Sequence, residues 1–312
     1  MNKLKGMLFL FWGFALAGTS VISARVVMGR LGTFTITIAS LFFALLCLIP
    51  LVGIPMMGNP GLGKTIFLIR QLKKTDWFFL SLQALFGIFL FRMFLLLGLQ
   101  HTSSAEAGIL IGATPAMTAL FARFILKENI TRSKWFGILS TVAGIIIVQG
   151  LLLPGHKFVL EHTIGNLLIL CACFGESSFN ICSRFLAVRV QSVQKASLPP
   201  MVQTMLVSAI ALLFCILPAS FETPFQNLSM IGVKEWLALI WYGVFVTAVA
   251  FICWYAGINR CNASTAAAFS GMMPFTALVL SALILKEPTG MQQWLGGVLI
   301  ILGMIMIGIS KE

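Results

Sequence analysis

Residues 105–150 align on residues 264–309 at a constant offset of 159 positions, without a gap. A duplication of this length constrains the fold more than any local signal, because both copies must adopt the same structure. Eleven of the 46 aligned positions are identical. They include Pro115/Pro274, the run Leu126-Lys127-Glu128 against Leu285-Lys286-Glu287, Trp135/Trp294, Gly137/Gly296 and Gly144/Gly303. Chance seldom pairs residues as rare as Pro and Trp. The same offset matches Trp77 with Trp236, Gly98 with Gly257, Gly6 with Gly165 and Arg25 with Arg184, so the whole chain reads as one unit written twice.

The unit is apolar. Hydrophobic residues make up 59% of the 312 positions and charged residues 10%, against roughly 45–50% and about 25% in a soluble domain. Ten apolar stretches, near residues 6–26, 33–52, 76–99, 104–124, 132–150, 163–185, 198–219, 234–257, 262–283 and 291–309, are long enough to cross about 30 Å of hydrocarbon as helices. The alternating short strands of an outer-membrane barrel are missing. The predicted fold is an all-α polytopic membrane protein of ten transmembrane helices. Five spans per copy is an odd number, so the second copy enters the membrane from the opposite face. The halves, residues 1–150 and 151–312, are therefore expected to be inverted repeats, an arrangement that recurs in secondary transporters.

The repeated pattern of Pro115, Leu126-Lys127-Glu128, Trp135-Phe136-Gly137 and Gly144, with its second copy at Pro274, Leu285-Lys286-Glu287, Trp294-Leu295-Gly296 and Gly303, resembles the EamA-type transporters of the drug/metabolite transporter superfamily. That resemblance implies two inverted five-helix repeats and a central cavity lined mainly by the first, third and fourth helices of each half. It also implies export of amino acids, related metabolites or toxic compounds across a bacterial inner membrane. No motif specific to one substrate is present.

Orientation follows from the basic residues. With the N-terminus cytoplasmic, 15 Lys and Arg fall on that side, 5 fall on the other, and Arg92 lies inside a span. The positive-inside rule then places both termini in the cytoplasm, and the net charge of +12 reflects topology rather than nucleic-acid binding. Lys3, Lys5 and Ala15-Leu16-Ala17 imitate a signal peptide, but the apolar run continues to Val27 and reads as the first span. Seven cysteines lack the paired spacing of a metal site, and no cofactor is expected.

Polar groups inside the bilayer are the site candidates, since a charge there costs about 2.5–3.5 kcal/mol on insertion scales. Glu176 lies mid-span in the sixth helix, with Asn180 and Arg184 four and eight residues on, in one stripe. It could serve a cationic substrate or carry a proton. A salt bridge towards Arg184 by way of Asn180, or a pair with Arg92, is the structural alternative. Arg92, among apolar neighbours in the third span, could bind a substrate carboxylate or phosphate, or neutralise Glu176. Together the two charges suit a zwitterion such as an amino acid. Their repeat mates are Ala17 and Phe251, so neither charge is a requirement of the duplicated scaffold.

Trp12 shares a helical face with Thr19 and Ser23 and could wall the cavity or pack in the core; Trp254 and Tyr255 read first as part of the aromatic belt, with the cavity wall as the alternative. Pro115 and Pro274, each in the middle of a span, are candidate hinges. The other polar residues have plainer expectations. Arg25 and Arg184 read as interfacial anchors, Glu106 and His101 as a solvated loop with gating as the alternative, and Glu128 and Glu287 as braces for their own turns. Trp77, Trp135, Trp236 and Trp294 fit an aromatic belt.

The run Gly58-x4-Gly63-Lys64-Thr65 matches a phosphate-binding loop literally, but it falls between two spans without the strand such a loop requires. No catalytic cluster is visible. The expected function is ATP-independent export of a small molecule by alternating access, proton-coupled or not, in an oligomeric state the sequence leaves open. A membrane-embedded enzyme or a non-transporting scaffold is the alternative.

Overall fold

A computed structural model describes residues 2–55, 61–125, 127, 130–148, 160–194, 199–258, 260 and 269–309. Among these residues the chain is helical. The first span comprises Asn2–Gly18 and Ser20–Val27, and the second is Thr33–Gly53. A short helix, Leu62–Arg70, leads into the third span, Lys74–Leu99. The fourth is Ser104–Ile111 followed by Thr114–Ile125, the fifth Arg132–Val148, the sixth Leu160–Gln194 and the seventh Pro200–Ser220. After a second short helix, Pro224–Met230, the eighth span runs from Val233 to Ile258. Met272–Leu283 belongs to the ninth and Met291–Ile309 is the tenth. Among the described residues eight helices are long and apolar enough to cross a bilayer, and Met272–Leu283 is a shorter apolar helix. The fold is an all-α polytopic membrane protein.

The inverted duplication is visible in the packing. The fifth and tenth spans lie against each other so closely that a Cβ added at Gly144 would stand 2.7 Å from the Gly296 carbonyl oxygen. Gly296 stands in the same relation to Gly144 at 2.7 Å, and Gly137 and Gly303 face each other in the same way. Each contact is the 159-residue translate of its partner. The Ser140 hydroxyl donates to the Leu299 carbonyl at 2.7 Å, and Leu299 is the repeat mate of Ser140, which puts the pseudo-two-fold axis between them. Small residues allow such an approach where lipid offers no hydrophobic drive between helices.

Elsewhere the two halves repeat one another contact by contact. A Cβ on Gly98 would meet Ile169, and one on Gly257 would meet Leu10; both pairs are again 159 apart. The N–H of Lys73 donates to Asp76 at 2.8 Å, and that of Gly232 to Glu235 at 2.9 Å. Equivalent carboxylates thus cap the third and eighth spans at their starts, where free N–H groups need acceptors. Lys127 and Lys286 both take positive φ, 57° and 54°. The repeat therefore extends to backbone conformation.

Two features were not expected from sequence. The third span contains a π-helical stretch, Leu85–Leu90, and the eighth contains another, Trp241–Val249; the offset carries 85–90 onto 244–249. The prolines also do not kink a continuous helix. In the fourth span the break is at Gly112 and Ala113, whose N–H groups bond to Ile109 and Leu110. Pro115 then sits in the first turn of the restarted helix, where a missing N–H costs nothing. In the ninth span the turn falls on Gly271 and Pro274 takes the third position of Met272–Leu283.

Candidate functional site

The largest apolar cluster gathers at one end of the bundle, the end away from Asn2. It takes Val21, Ala24 and Val27 from the first span, Leu95, Leu96 and Leu99 from the third, Leu110 and Ile111 from the fourth, Ile169 from the sixth and Tyr242 from the eighth. Polar groups seal the rim. Glu106 accepts from the Thr102 hydroxyl at 3.0 Å, the Asn166 amide at 3.1 Å and the Gln293 amide at 3.3 Å, and its carboxylate lies 3.9 Å from His162. Glu287 accepts from the Ala105 N–H at 3.1 Å and stands 3.8 Å from Arg25, which donates in turn to the Leu99 carbonyl.

Three expectations change here. Glu106 belongs to no solvated loop; its side chain is 12% exposed and it joins the fourth, sixth and tenth spans. Glu287 reaches beyond its own turn to the first and fourth spans. Arg25 is part of this contact rather than a lone anchor.

Below this cap, Glu176 faces the fourth span. The Thr114 hydroxyl donates to its carboxylate at 2.9 Å. On the same helix face Cys173 contacts the Leu110 carbonyl at 3.4 Å, Ser177 donates to the Thr114 carbonyl at 3.1 Å, and Asn180 lies 3.4 Å from the Thr118 hydroxyl. These side chains form a polar seam between the sixth span and the broken fourth, one step per helical turn. The carboxylate sits at the break itself, where the helix restarts at Thr114. No cation lies within 4.0 Å of Glu176 among the described residues. The side chain of Arg184 and the whole of Glu128 lie outside the described residues.

Arg92 is elsewhere. Its guanidinium donates to the Ser40 hydroxyl of the second span at 2.6 Å and to Thr247 of the eighth at 2.8 Å, and it stacks 4.6 Å over the Tyr242 ring. At 6% exposure it is enclosed, with no carboxylate within 4.0 Å among the described residues. The expected alternative of an Arg92–Glu176 pair is therefore not what the structure contains. Thr247 reaches the guanidinium from within the π-helical stretch, where its hydroxyl also donates to the Tyr242 carbonyl five residues back, at 3.0 Å. Extra backbone in such a stretch re-aims side chains, and π-bulges frequently mark functional positions.

In the first span, Thr19 is the residue between the two helical pieces. Its hydroxyl donates to the Leu16 carbonyl at 2.6 Å and accepts from the Trp241 indole at 2.9 Å. Trp241 stacks on Phe245 with ring centroids 4.5 Å apart. Trp12 is 56% exposed and meets Phe11 edge-on. Tyr255 lies on Ala250–Ile258, and its side chain is outside the described residues. Of the phosphate-loop look-alike, residues 58–60 are outside the described residues, while Lys64 and Thr65 belong to the short helix Leu62–Arg70. Sequence reasoning missed Ser40, Thr247, Tyr242 and Thr114, none of which stands out in an apolar stretch.

The model of the EamA-like transporter family matches the chain twice, at residues 4–149 and 163–309. The chain belongs to the EamA-like transporter family. Its relatives include the uncharacterized transporter YetK of Bacillus subtilis, 29% identical over 96% of this chain and 85% of that one. An uncharacterized transporter of Archaeoglobus fulgidus is 24% identical over 87% and 88% of the two chains. A solved structure titled only "Crystal structure of protein" superposes with a TM-score of 0.61 at 19% identity, covering 97% of this chain and 96% of that one, which supports the fold. Family and relatives describe a multi-pass membrane transporter rather than an enzyme.

Proposed function

We propose that the protein is a secondary exporter of amino acids or related small metabolites, working by alternating access in a bacterial inner membrane with both termini in the cytoplasm. The observation that carries this reading is the inverted duplication itself. Two copies with matched contacts can exchange conformations, so that what one half does at the outer end the other does at the inner. The capped end, with Glu106 and Glu287 at its rim, is the outer gate in its closed state. The breaks before Pro115 and Pro274 are the hinges.

Glu176 at the fourth-span break is the coupling and recognition group. Held by one hydroxyl and no cation among the described residues, it can receive a substrate ammonium or a proton, and either would neutralise it inside the membrane. Asn180 extends the seam one turn further. Arg92 takes the substrate carboxylate, and Trp12, Thr19 and Tyr255 wall the cavity on the side of the first and eighth spans. A zwitterion matches both charges.

The test is counterflow in proteoliposomes without nucleotide, screening amino acids, organic cations and nucleosides. Exchange of an amino acid by the wild type, lost in Glu176→Gln, is the expected result. Exchange confined to compounds without a carboxylate would remove Arg92 from the reading, and no exchange of any compound would remove transport of this class altogether.

A further inference from the structure

Arg92 cannot take a substrate carboxylate from where it now lies. At 6% exposure it is closed off from an incoming ligand, although a charge inside the membrane is costly to hold. It has no carboxylate within 4.0 Å among the described residues. Two neutral acceptors hold it instead, the Ser40 hydroxyl at 2.6 Å and the Thr247 hydroxyl at 2.8 Å, with the guanidinium 4.6 Å over the Tyr242 ring. These bonds engage two of its five N–H donors.

Both acceptors can lose the guanidinium without being orphaned. Ser40 donates its own hydroxyl proton to the Thr37 carbonyl at 3.0 Å, and Thr247 donates to the Tyr242 carbonyl at 3.0 Å. Each keeps a hydrogen bond when Arg92 departs, so the penalty of an unpaired buried hydroxyl does not arise. A carboxylate is charged and can accept from two N–H groups of one arginine at once, which makes it the stronger partner. The duplicated scaffold needs none of this set: the repeat mates of Ser40, Arg92, Tyr242 and Thr247 are Pro199, Phe251, Gln83 and Ile88. Both copies carry the π-helical stretch, but only the second carries a threonine on it. Arg92 and Ser40 belong to the first copy and Thr247 to the second, so the contact also ties the halves together.

We infer that Ser40 and Thr247 park Arg92, holding the guanidinium out of the pathway in the substrate-free protein and releasing it to a substrate carboxylate. The inference rests on Arg92 as the carboxylate group of the proposed exporter, and it names the residues that set the affinity of that group. Carboxylate binding then removes the Arg92–Thr247 bond between the halves, which links binding to their exchange. Ser40 and Thr247 are positioning residues that act through Arg92. They compete with the substrate and lower its apparent affinity, the reverse of what residues aiming Arg92 at the substrate would do. A hydrogen bond to a charged group is worth about tenfold or more in an equilibrium, so removing either hydroxyl strengthens carboxylate binding by about that factor.

Two readouts test this, and the first needs no substrate. The full-length protein in detergent is treated with phenylglyoxal, which modifies accessible arginines, and the rate at Arg92 is followed by peptide mass spectrometry. Arg92 is expected to be protected in the wild type, to react at least about fivefold faster in Thr247→Val, and to stay protected in Thr247→Ser, which keeps the hydroxyl. The second readout is exchange in proteoliposomes of the amino acid identified by counterflow. Its KM should fall about tenfold in Thr247→Val with no rise in the maximal rate, and should return towards the wild-type value in Thr247→Ser. Should Thr247→Val not fold, Ser40→Ala carries both measurements. Equal reactivity of Arg92 in the wild type and Thr247→Val would overturn the parking. So would a KM that is unchanged or raised, since the hydroxyls would then be scaffold or would aim Arg92 at the substrate. Should the wild type exchange no amino acid, the transport reading falls, and the labelling alone still decides whether the two hydroxyls hold the guanidinium in.

Discussion

At the scale of single residues, the two intramembrane charges live in different surroundings. Arg92 is enclosed by hydroxyls and a ring, which engage two of its five N–H donors without cancelling its charge. An uncompensated charge inside the membrane is costly to hold, and an apolar side chain of similar length removes that cost without leaving a counter-charge unpaired. Arg92→Met should therefore stay folded and monodisperse, with a melting temperature near the wild type's, while exchange of carboxylate substrates falls at least tenfold. Unchanged exchange would make Arg92 a packing residue. For Glu176 the relevant bond is the one from Thr114; a hydrogen bond to an ionised group contributes about 1.5–3 kcal/mol. Thr114→Val, which removes that donor, should slow exchange and alter its pH dependence, measured as initial rate against pH.

At the scale of elements, the glycine contacts between the fifth and tenth spans give a prediction that depends on symmetry. Because Gly137 and Gly296 are repeat mates in equivalent contacts, Gly137→Ala and Gly296→Ala should destabilise to a similar degree. Overpacking of this kind costs about 1–3 kcal/mol, read as a lowered melting temperature in detergent. A large effect at one position and none at the other would show that the halves do not bear on the axis alike. These glycines could be read from the sequence because a close approach demands a residue type and the repeat prints it twice. The π-helical stretches at Leu85–Leu90 and Trp241–Val249 could not. Their register is set by which carbonyl each N–H reaches, and Leu, Phe and Val serve as well in either winding. That is also why Arg92 could be marked as unusual while its partners Ser40 and Thr247 could not, since a single extra backbone residue decides which side chain faces it.

At the scale of the whole molecule, the count of spans, their inversion and the family were legible in the 159-residue offset, because a duplication of five spans leaves one topology. The closed end was not. Glu106, Asn166 and Gln293 lie far apart in sequence, and their meeting depends on how the halves tilt together. That cap yields a prediction of its own. Glu106→Gln keeps the shape of the side chain but removes its charge from the His162 and Gln293 contacts. In doubly spin-labelled protein it should shift the distance distribution across this end towards the open form. An unchanged distribution would mean that the apolar cluster beneath holds the end shut unaided.

The central claim is that Glu176, at the break of the fourth span, couples movement of a small zwitterion to the exchange between two inverted halves. The most direct measurement is the rate of labelled amino-acid exchange in proteoliposomes across a range of pH, for the wild type and Glu176→Gln at equal reconstitution. The account predicts a pH-dependent rate in the wild type and, in the variant, either no exchange or exchange that no longer responds to pH. An identical rate and pH profile in the two proteins would contradict it.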